Sequence, residues 1–224
     1  TIAHGVWPDA TELDLLADSG TNVVLNMLSN LKLKSGLAPI LEYRARGVNL
    51  ALGCDNCSCS DTQNMFQTMK LFCLLAAVSS PEPTEVGAAE AFRAATLGGA
   101  RTAGRGEMLG ALRAGRRADL VLLDLADPAW RPCNSVVRQL VYSESGRSVR
   151  TVIVDGRIVV DNGRMVTVDE RALGEEVRGL MPRVRTDVER LRVGYAEVRG
   201  HIDAAQRRAR AVPLPMDRYI GSRT

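Results

Sequence analysis

Gly47-Val48-Asn49-Leu50-Ala51-Leu52-Gly53-Cys54-Asp55 is a short aliphatic run that ends on a carboxylate. It is continuous rather than alternating, the pattern of a strand buried on both faces of a parallel sheet. Two similar runs lie upstream, Asn22–Leu25 and Thr1–Ala3. Helical patterns separate them. Asp9-x-x-Glu12 reads as a capping box ahead of Leu13, Leu16 and Ala17, with Gly20 at the C′ position. Pro39 opens a second helix through Ile40 and Leu41, which Gly47 stops. A third helix is predicted over Asp61–Val78, with Ser60 or Asp61 as its cap and Met65, Met69 and Phe72 along one face. The rhythm is β-α-β-α-β-α, which dictates a parallel sheet with right-handed crossovers.

Beyond Pro81-Glu82-Pro83 another helix is expected, capped by Thr84 and running through Ala88–Leu97. From Gly110 to Val168 the chain reads as strands and turns: Ala118–Leu125, Val136–Tyr142 and Val149–Val154. Asp155-Gly156 then turns into Arg157–Val160, the strongest hairpin signal present, and Asn162-Gly163 turns into Met165–Val168. In the tail, Leu173, Val177, Leu180, Val184, Val188, Leu191, Tyr195, Val198 and Ile202 step by three or four, an amphipathic helix that Pro182 is expected to break or kink. Pro213 and Pro215 mark a final extended arm.

The chain has 224 residues, 46% hydrophobic and 25% charged, enough apolar matter for a packed core and unlike a disordered chain. Aromatics are only 4%, so that core must be aliphatic. A net charge of +3 from 29 basic and 26 acidic residues is too balanced to point to nucleic acid. No apolar run approaches the roughly 18 to 20 residues needed to span a bilayer. Five cysteines, three of them crowded at Cys54, Cys57 and Cys59, do not read as a disulfide framework. A reducing, cytoplasmic setting is the default.

Parallel α/β sheets carry ligands at the carboxyl ends of their strands. There the sequence puts His4 after the first strand, Asn26, Ser29 and Asn30 after the second, and Asp55 after the third. Polar and metal-capable groups therefore converge on one rim. Each also has a plainer reading: His4 as a hydrogen-bonded structural residue, Asp55 as a helix cap, and Asn30 as a turn residue bonded to backbone.

Ala3-His4-Gly5-Val6-Trp7, Ser29-Asn30-Leu31-Lys32-Leu33-Lys34-Ser35-Gly36 and Gly47–Asp55 together resemble the second half of the metal-dependent amidohydrolase superfamily. The branch they resemble holds cytosine, guanine and S-adenosylhomocysteine deaminases and triazine hydrolases. Ala94-Ala95-Thr96-Leu97-Gly98-Gly99-Ala100-Arg101 is similar to the helix that closes the barrel. Gly110, Gly115, Ala118–Val121 and Val152–Gly156 are similar to the small β-sandwich beside it. The resemblance implies the last three βα units of a (β/α)8 TIM barrel over residues 1–104, a β-sandwich over 105–170 and a helical tail and arm over 171–224.

It also implies roles. Asp55 corresponds to the metal-binding aspartate that takes the proton of the attacking water, and His4 to the histidine that stabilises developing charge. Zinc or iron(II) is the implied ion. Trp7, Asn30 and Asn56 border the implied site of a small heterocyclic substrate, and the implied reaction is hydrolytic deamination of a purine, pyrimidine or related ring. The alternatives are release of chloride or an alkylamine from a triazine, and a non-catalytic remnant or assembly subunit.

The family's metal site also uses a His-x-His pair, a further His and a nearby Glu, whereas the histidines here are His4 and His201. The chain is therefore expected to be the C-terminal part of a longer or split enzyme, inactive and prone to aggregate by itself, with the N-terminal half of the barrel as its partner. A homodimer is expected from the unsatisfied tail stripe.

Overall fold

The computed structural model describes residues 1–83 and 85–219 of the chain. They divide into two units, the first formed by Thr1–Gly163 together with the segment that starts at Arg218, the second by Arg164–Asp217.

The first unit opens on a parallel sheet of β1 (Ile2–Ala3), β2 (Val23–Leu25) and β3 (Leu50–Leu52). The strands lie side by side in that order, with Ile2 opposite Val23 and Leu25 opposite Leu52. Val23, Leu25 and Ala51 are sealed from solvent, as continuous aliphatic runs require, while both residues of the edge strand β1 are exposed. Helix α1 (Ala10–Asp18) carries the expected capping box, Asp9 and Glu12 each accepting from the other's backbone amide. Helix α2 (Met27–Lys32) follows β2 directly, in a stretch whose sequence reads as loop. Helix α3 (Ile40–Ala45) starts after Pro39 as expected.

After β3 come α4 (Cys57–Ser60) and α5 (Met65–Val78). The single helix expected from Asp61 is thus two. Asp61 sits in the left-handed region (φ 62°) as the residue that ends α4, and Asn64 caps α5 by accepting from the Gln67 amide. Helix α6 (Ala88–Arg93) starts after Gly87 and continues through a π-helical turn, Ala94–Gly98, into α7 (Gly99–Thr102). The Thr84 cap lies outside the described residues. Leu13, Tyr43, Phe72, Met69 and Ile40 fill the core between sheet and helices.

Downstream, β4 (Leu120–Leu123), β5 (Val149–Val154) and β6 (Arg157–Asp161) form an antiparallel sheet. The Asp155-Gly156 hairpin is present with φ of 49° and 78°, the doubly positive pattern of a type I′ turn. The expected strand Val136–Tyr142 is instead helix α8. Its β-branched residues suggested a strand, but Ser135 caps it by accepting from the Arg138 amide, and packing against α5 and α6 buries Val141 completely. Inside this region the Glu144 carboxylate accepts from the Trp130 indole, the Ser148 hydroxyl and the amides of Ser145, Gly146 and Ser148. Val121, Leu122, Val154 and Ile158 on the sheet remain about half exposed.

In the second unit, β7 (Arg164–Met165) takes in only Met165 of the expected strand Met165–Val168. Helix α9 (Glu170–Arg210) then runs 41 residues without interruption. Pro182 lies inside it and does not end it, and none of its residues is buried. No helix among the described residues is long and apolar enough to cross a membrane.

Candidate active site

The carboxyl ends of β1, β2 and β3 bring His4, Asn30 and Asp55 together. The His4 amide donates to the Val24 carbonyl at 2.8 Å and the Gly53 amide to the Leu25 carbonyl at 3.0 Å, so the ladder holds to the edge of the rim. Just past it the backbone turns left-handed at both functional residues, with φ of 68° at His4 and 60° at Asp55. Non-glycine residues avoid this region, and such conformations persist where the surroundings over-determine them, often at functional sites.

Asn30 lies on α2, one turn beyond the central strand, and is almost fully buried. His4 Nδ1 donates to Asn30 Oδ1 at 2.8 Å. The plainer expectation, that the Asn30 side chain bonds to backbone, is thereby corrected: on this inward helical face its oxygen meets an imidazole. With Nδ1–H committed to Asn30, the other ring nitrogen, Nε2, faces the Asp55 carboxylate, whose Oδ2 is 3.9 Å away.

Asp55 Oδ1 accepts from the Asn56 amide at 2.7 Å, and the Gln63 side chain donates to the Asp55 carbonyl at 2.7 Å. The neighbouring Ser29 hydroxyl first, then the Asn56 amide, hold the Asp55 carboxyl below its ordinary value, with His4 adding to the effect. Asp55 is therefore a carboxylate at neutral pH. Ser29 Oγ nevertheless has no partner within hydrogen-bonding distance, and neither has Asn30 Nδ2; both atoms are buried. Asn30 Nδ2 is thus a buried donor beneath the rim with no protein partner.

The other expected site residues are engaged elsewhere. Trp7 donates its indole N–H to the Ser35 carbonyl at 2.7 Å and packs edge-on against Tyr219, ring centroids 5.5 Å apart. Asn56 spends its side-chain oxygen capping α4, accepting from the amides of Ser58 and Cys59. Lys32 bridges to the Ser58 carbonyl and Asp61 carboxylate, tying α2 to the end of α4. Ser29, Gln63 and Tyr219 had no individual role in the sequence reading. Ser29 adjoins Asn30 at the end of β2, which was a usable signal; Tyr219 gave none.

Asp55 and His4 Nε2 fit the chemistry of a divalent-ion site, since both offer lone pairs toward one point. They are only two donors, however, and among the described residues no group of three His, Cys, Asp or Glu side chains is arranged to hold an ion. These residues alone do not complete a metal shell.

A parallel βα sheet that gathers an imidazole, a carboxamide and an ionised carboxylate on its carboxyl rim belongs to the large class of α/β enzymes that do chemistry at strand ends. Residues 1–159 match the model of the Amidohydrolase family, and the chain belongs to that family. It is 40% identical over 159 residues to a 5-methylthioadenosine/S-adenosylhomocysteine deaminase of Thermococcus onnurineus, a match covering 71% of this chain and 37% of that protein. It resembles the zinc-bound crystal structure of an adenosine deaminase from Xanthomonas campestris with a TM-score of 0.79 and 34% identity, over 82% of this chain and 42% of that one. An atrazine chlorohydrolase from Arthrobacter aurescens, complexed with zinc, superposes with a TM-score of 0.75 and 28% identity, over 80% and 40% of the two chains. The chain thus spans little more than a third of the length of the curated relative it matches.

Proposed function

We propose that this chain is the C-terminal part of a metal-dependent hydrolase of non-peptide C–N bonds that deaminates a purine, pyrimidine or related heterocycle. The juxtaposition of His4 and Asp55 carries the reading: two residues 51 positions apart, both in left-handed backbone, face each other across 3.9 Å at one end of the sheet. The relationship to the Thermococcus deaminase supports an adenosine-type substrate.

In this reading residues 1–104 are the last three βα units of a TIM barrel, 105–170 belong to a β-sandwich, and 171–224 form a helical tail and arm. The remaining barrel units supply the other metal donors and cover the exposed edge strand β1 and the half-exposed antiparallel sheet. A divalent ion, zinc or iron, bound in the completed site would lower the pKa of a bound water from 15.7 to about 7. The chain's own part is proton handling. The Asp55 carboxylate would hold one position on such an ion, and it accepts the proton released as water adds to the ring carbon. That proton passes to the departing nitrogen, so that water and amine become carbonyl and ammonia. His4, its tautomer fixed by Asn30, accepts a hydrogen bond at Nε2 and orients the water. Trp7, Asn30 and Asn56 border the ring, and the enzyme is a cytoplasmic homodimer.

The test is ammonia release from adenosine derivatives, guanine, cytosine and triazines by the full-length protein. Turnover on at least one ring, lost by more than about a thousandfold in Asp55→Asn, is expected; release from none of them overturns the deaminase reading. The residues 1–224 alone are expected to bind no stoichiometric zinc and to turn nothing over. A second reading, loss of chloride or an alkylamine from a triazine, rests on the likeness to the atrazine chlorohydrolase, and chloride release in the same panel distinguishes it.

A further inference from the structure

The chain returns to the rim of the site after its long helix. Arg218 and Tyr219 belong to the first unit and contact helix α3 and two loops. The first follows β1 and carries His4, Trp7 and Pro8. The second follows α2 and carries Lys34 to Leu37. The Leu37 amide donates to the Arg218 carbonyl at 2.6 Å, and the Tyr219 hydroxyl donates to the Lys34 carbonyl at 3.1 Å. The Arg218 guanidinium donates to the Pro8 carbonyl at 3.1 Å and to Glu42 Oε1, on α3, at 2.7 Å. The Tyr219 ring packs edge-on against Trp7.

Three observations separate this segment from an incidental tail. The Arg218 side chain is only 13% exposed, an unusual depth for a guanidinium outside a specific site, and its Nε is buried without a partner. Gly36 has φ +106°, and a Cβ there would come within 2.9 Å of the Arg218 carbonyl oxygen and 3.1 Å of Val6, so the loop is shaped to admit the segment. Finally, the segment joins the loop after β1 to the loop after α2, and the His4–Asn30 hydrogen bond joins the same β1 loop to α2 itself. Trp7 stands three residues after His4, and Lys34 four after Asn30, whose carbonyl accepts from the Ser35 amide. The segment is a second tie across the same gap.

We propose that Arg218 and Tyr219 are positioning residues, a C-terminal strap that fixes the separation of the β1 and α2 loops and thereby holds His4 on Asn30. Without the strap, Trp7 loses its ring partner and the loop after α2 loses two backbone anchors. The imidazole is then free to leave the orientation that aims Nε2 at Asp55. The effect on turnover rests on the deaminase reading; the effect on His4 does not.

The experiment uses the full-length protein in four forms: parent, Arg218→Met, Arg218→Lys, and a chain ending at Asp217. The acylation rate of His4 by diethyl pyrocarbonate, mapped by mass spectrometry below the onset of unfolding, is expected to rise at least threefold in Arg218→Met and in the shortened chain. Arg218→Lys, which keeps the charge beside Glu42, is expected to recover part of the change. On the same samples kcat is expected to fall about tenfold with KM changing less than threefold. An unchanged His4 rate in Arg218→Met overturns the strap whatever happens to melting temperature, and that variant decides the matter if the shortened chain does not fold. A parent without turnover counts against the deaminase reading, and the His4 rate still judges the strap.

Discussion

His4, in the loop after β1, and Asn30, on the helix after the adjacent strand β2, are bound side chain to side chain, Nδ1–H to Oδ1 at 2.8 Å. The bond decides which imidazole nitrogen carries the proton, and so gives Nε2 its role as acceptor. Removing a partner that orients a functional histidine typically costs ten- to a hundredfold in activity. Asn30→Ala in the full-length enzyme is therefore expected to lower kcat/KM by about that range, mostly through kcat. Asn30→Asp, which keeps an acceptor at the same place, is expected to lose less. Steady-state kinetics on whichever substrate the full-length protein turns over check both.

Glu144 gives the fold an acid-sensitive point away from the active site. Burial pushes its carboxyl upward, but the Ser148 hydroxyl, the Trp130 indole and the amides of Gly146 and Ser148 outweigh burial and hold it below its ordinary value of 4.5. Because the folded value lies below the unfolded one, the stabilisation is complete above about pH 4.5. It is lost as the pH falls through the folded value. Glu144→Gln cannot accept from all five donors and is expected to cost about 2 to 4 kcal/mol at pH 7. It should also flatten the decline in melting temperature below pH 4.5, which thermal melts across pH 3 to 7 measure.

Much of this architecture is written locally, and the exceptions have a common cause. The three aliphatic runs, the Asp9–Glu12 capping box and the Asp155-Gly156 turn depend on neighbours within a few residues, and each stands where the sequence puts it. Val136–Tyr142 does not, because its β-branched residues suit a strand until α5 and α6 bury one face of a helix. Asp61 and Asn64 are both good caps three residues apart, and the left-handed turn at Asp61 settles which is used. His4 and Asp55 were visible as the polar residues that follow strands. The strap was not, since Arg218 meets Glu42 across 176 positions and no local pattern announces such a contact.

Pro182 lies inside α9 with no amide hydrogen to give to the carbonyl one turn earlier. An interior proline costs about 3 kcal/mol relative to alanine. The helix has no buried residue to offset that cost, although the Thr186 hydroxyl donates to the Pro182 carbonyl. Pro182→Ala is expected to slow amide hydrogen exchange across roughly residues 178–186 by at least tenfold while leaving exchange in β2 and β3 unchanged. Equal protection in both proteins would show that the helix opens somewhere other than the proline.

Gly98 controls where Asp55 stands. It lies in the π-helical turn that packs against β3, and a Cβ there would collide with the Leu50 carbonyl. The obstacle is backbone inside a buried strand, so it cannot swing aside as a surface side chain would. Relief requires the turn and β3 to separate, and β3 is what carries Asp55 to the rim. Overpacking of this kind costs about 1 to 3 kcal/mol, with larger values where the neighbour cannot yield. Gly98→Ala is therefore expected to lower stability by about 3 kcal/mol and to reduce kcat in the fraction that remains folded, because a β3 shift of 1 Å displaces the carboxylate from His4. Gly87→Ala serves as the control: a Cβ at that site meets nothing within 4 Å, so its melting temperature and kcat are expected to stay near the parent's. If both glycine variants behave alike, the close approach of turn and strand is not what sets the site.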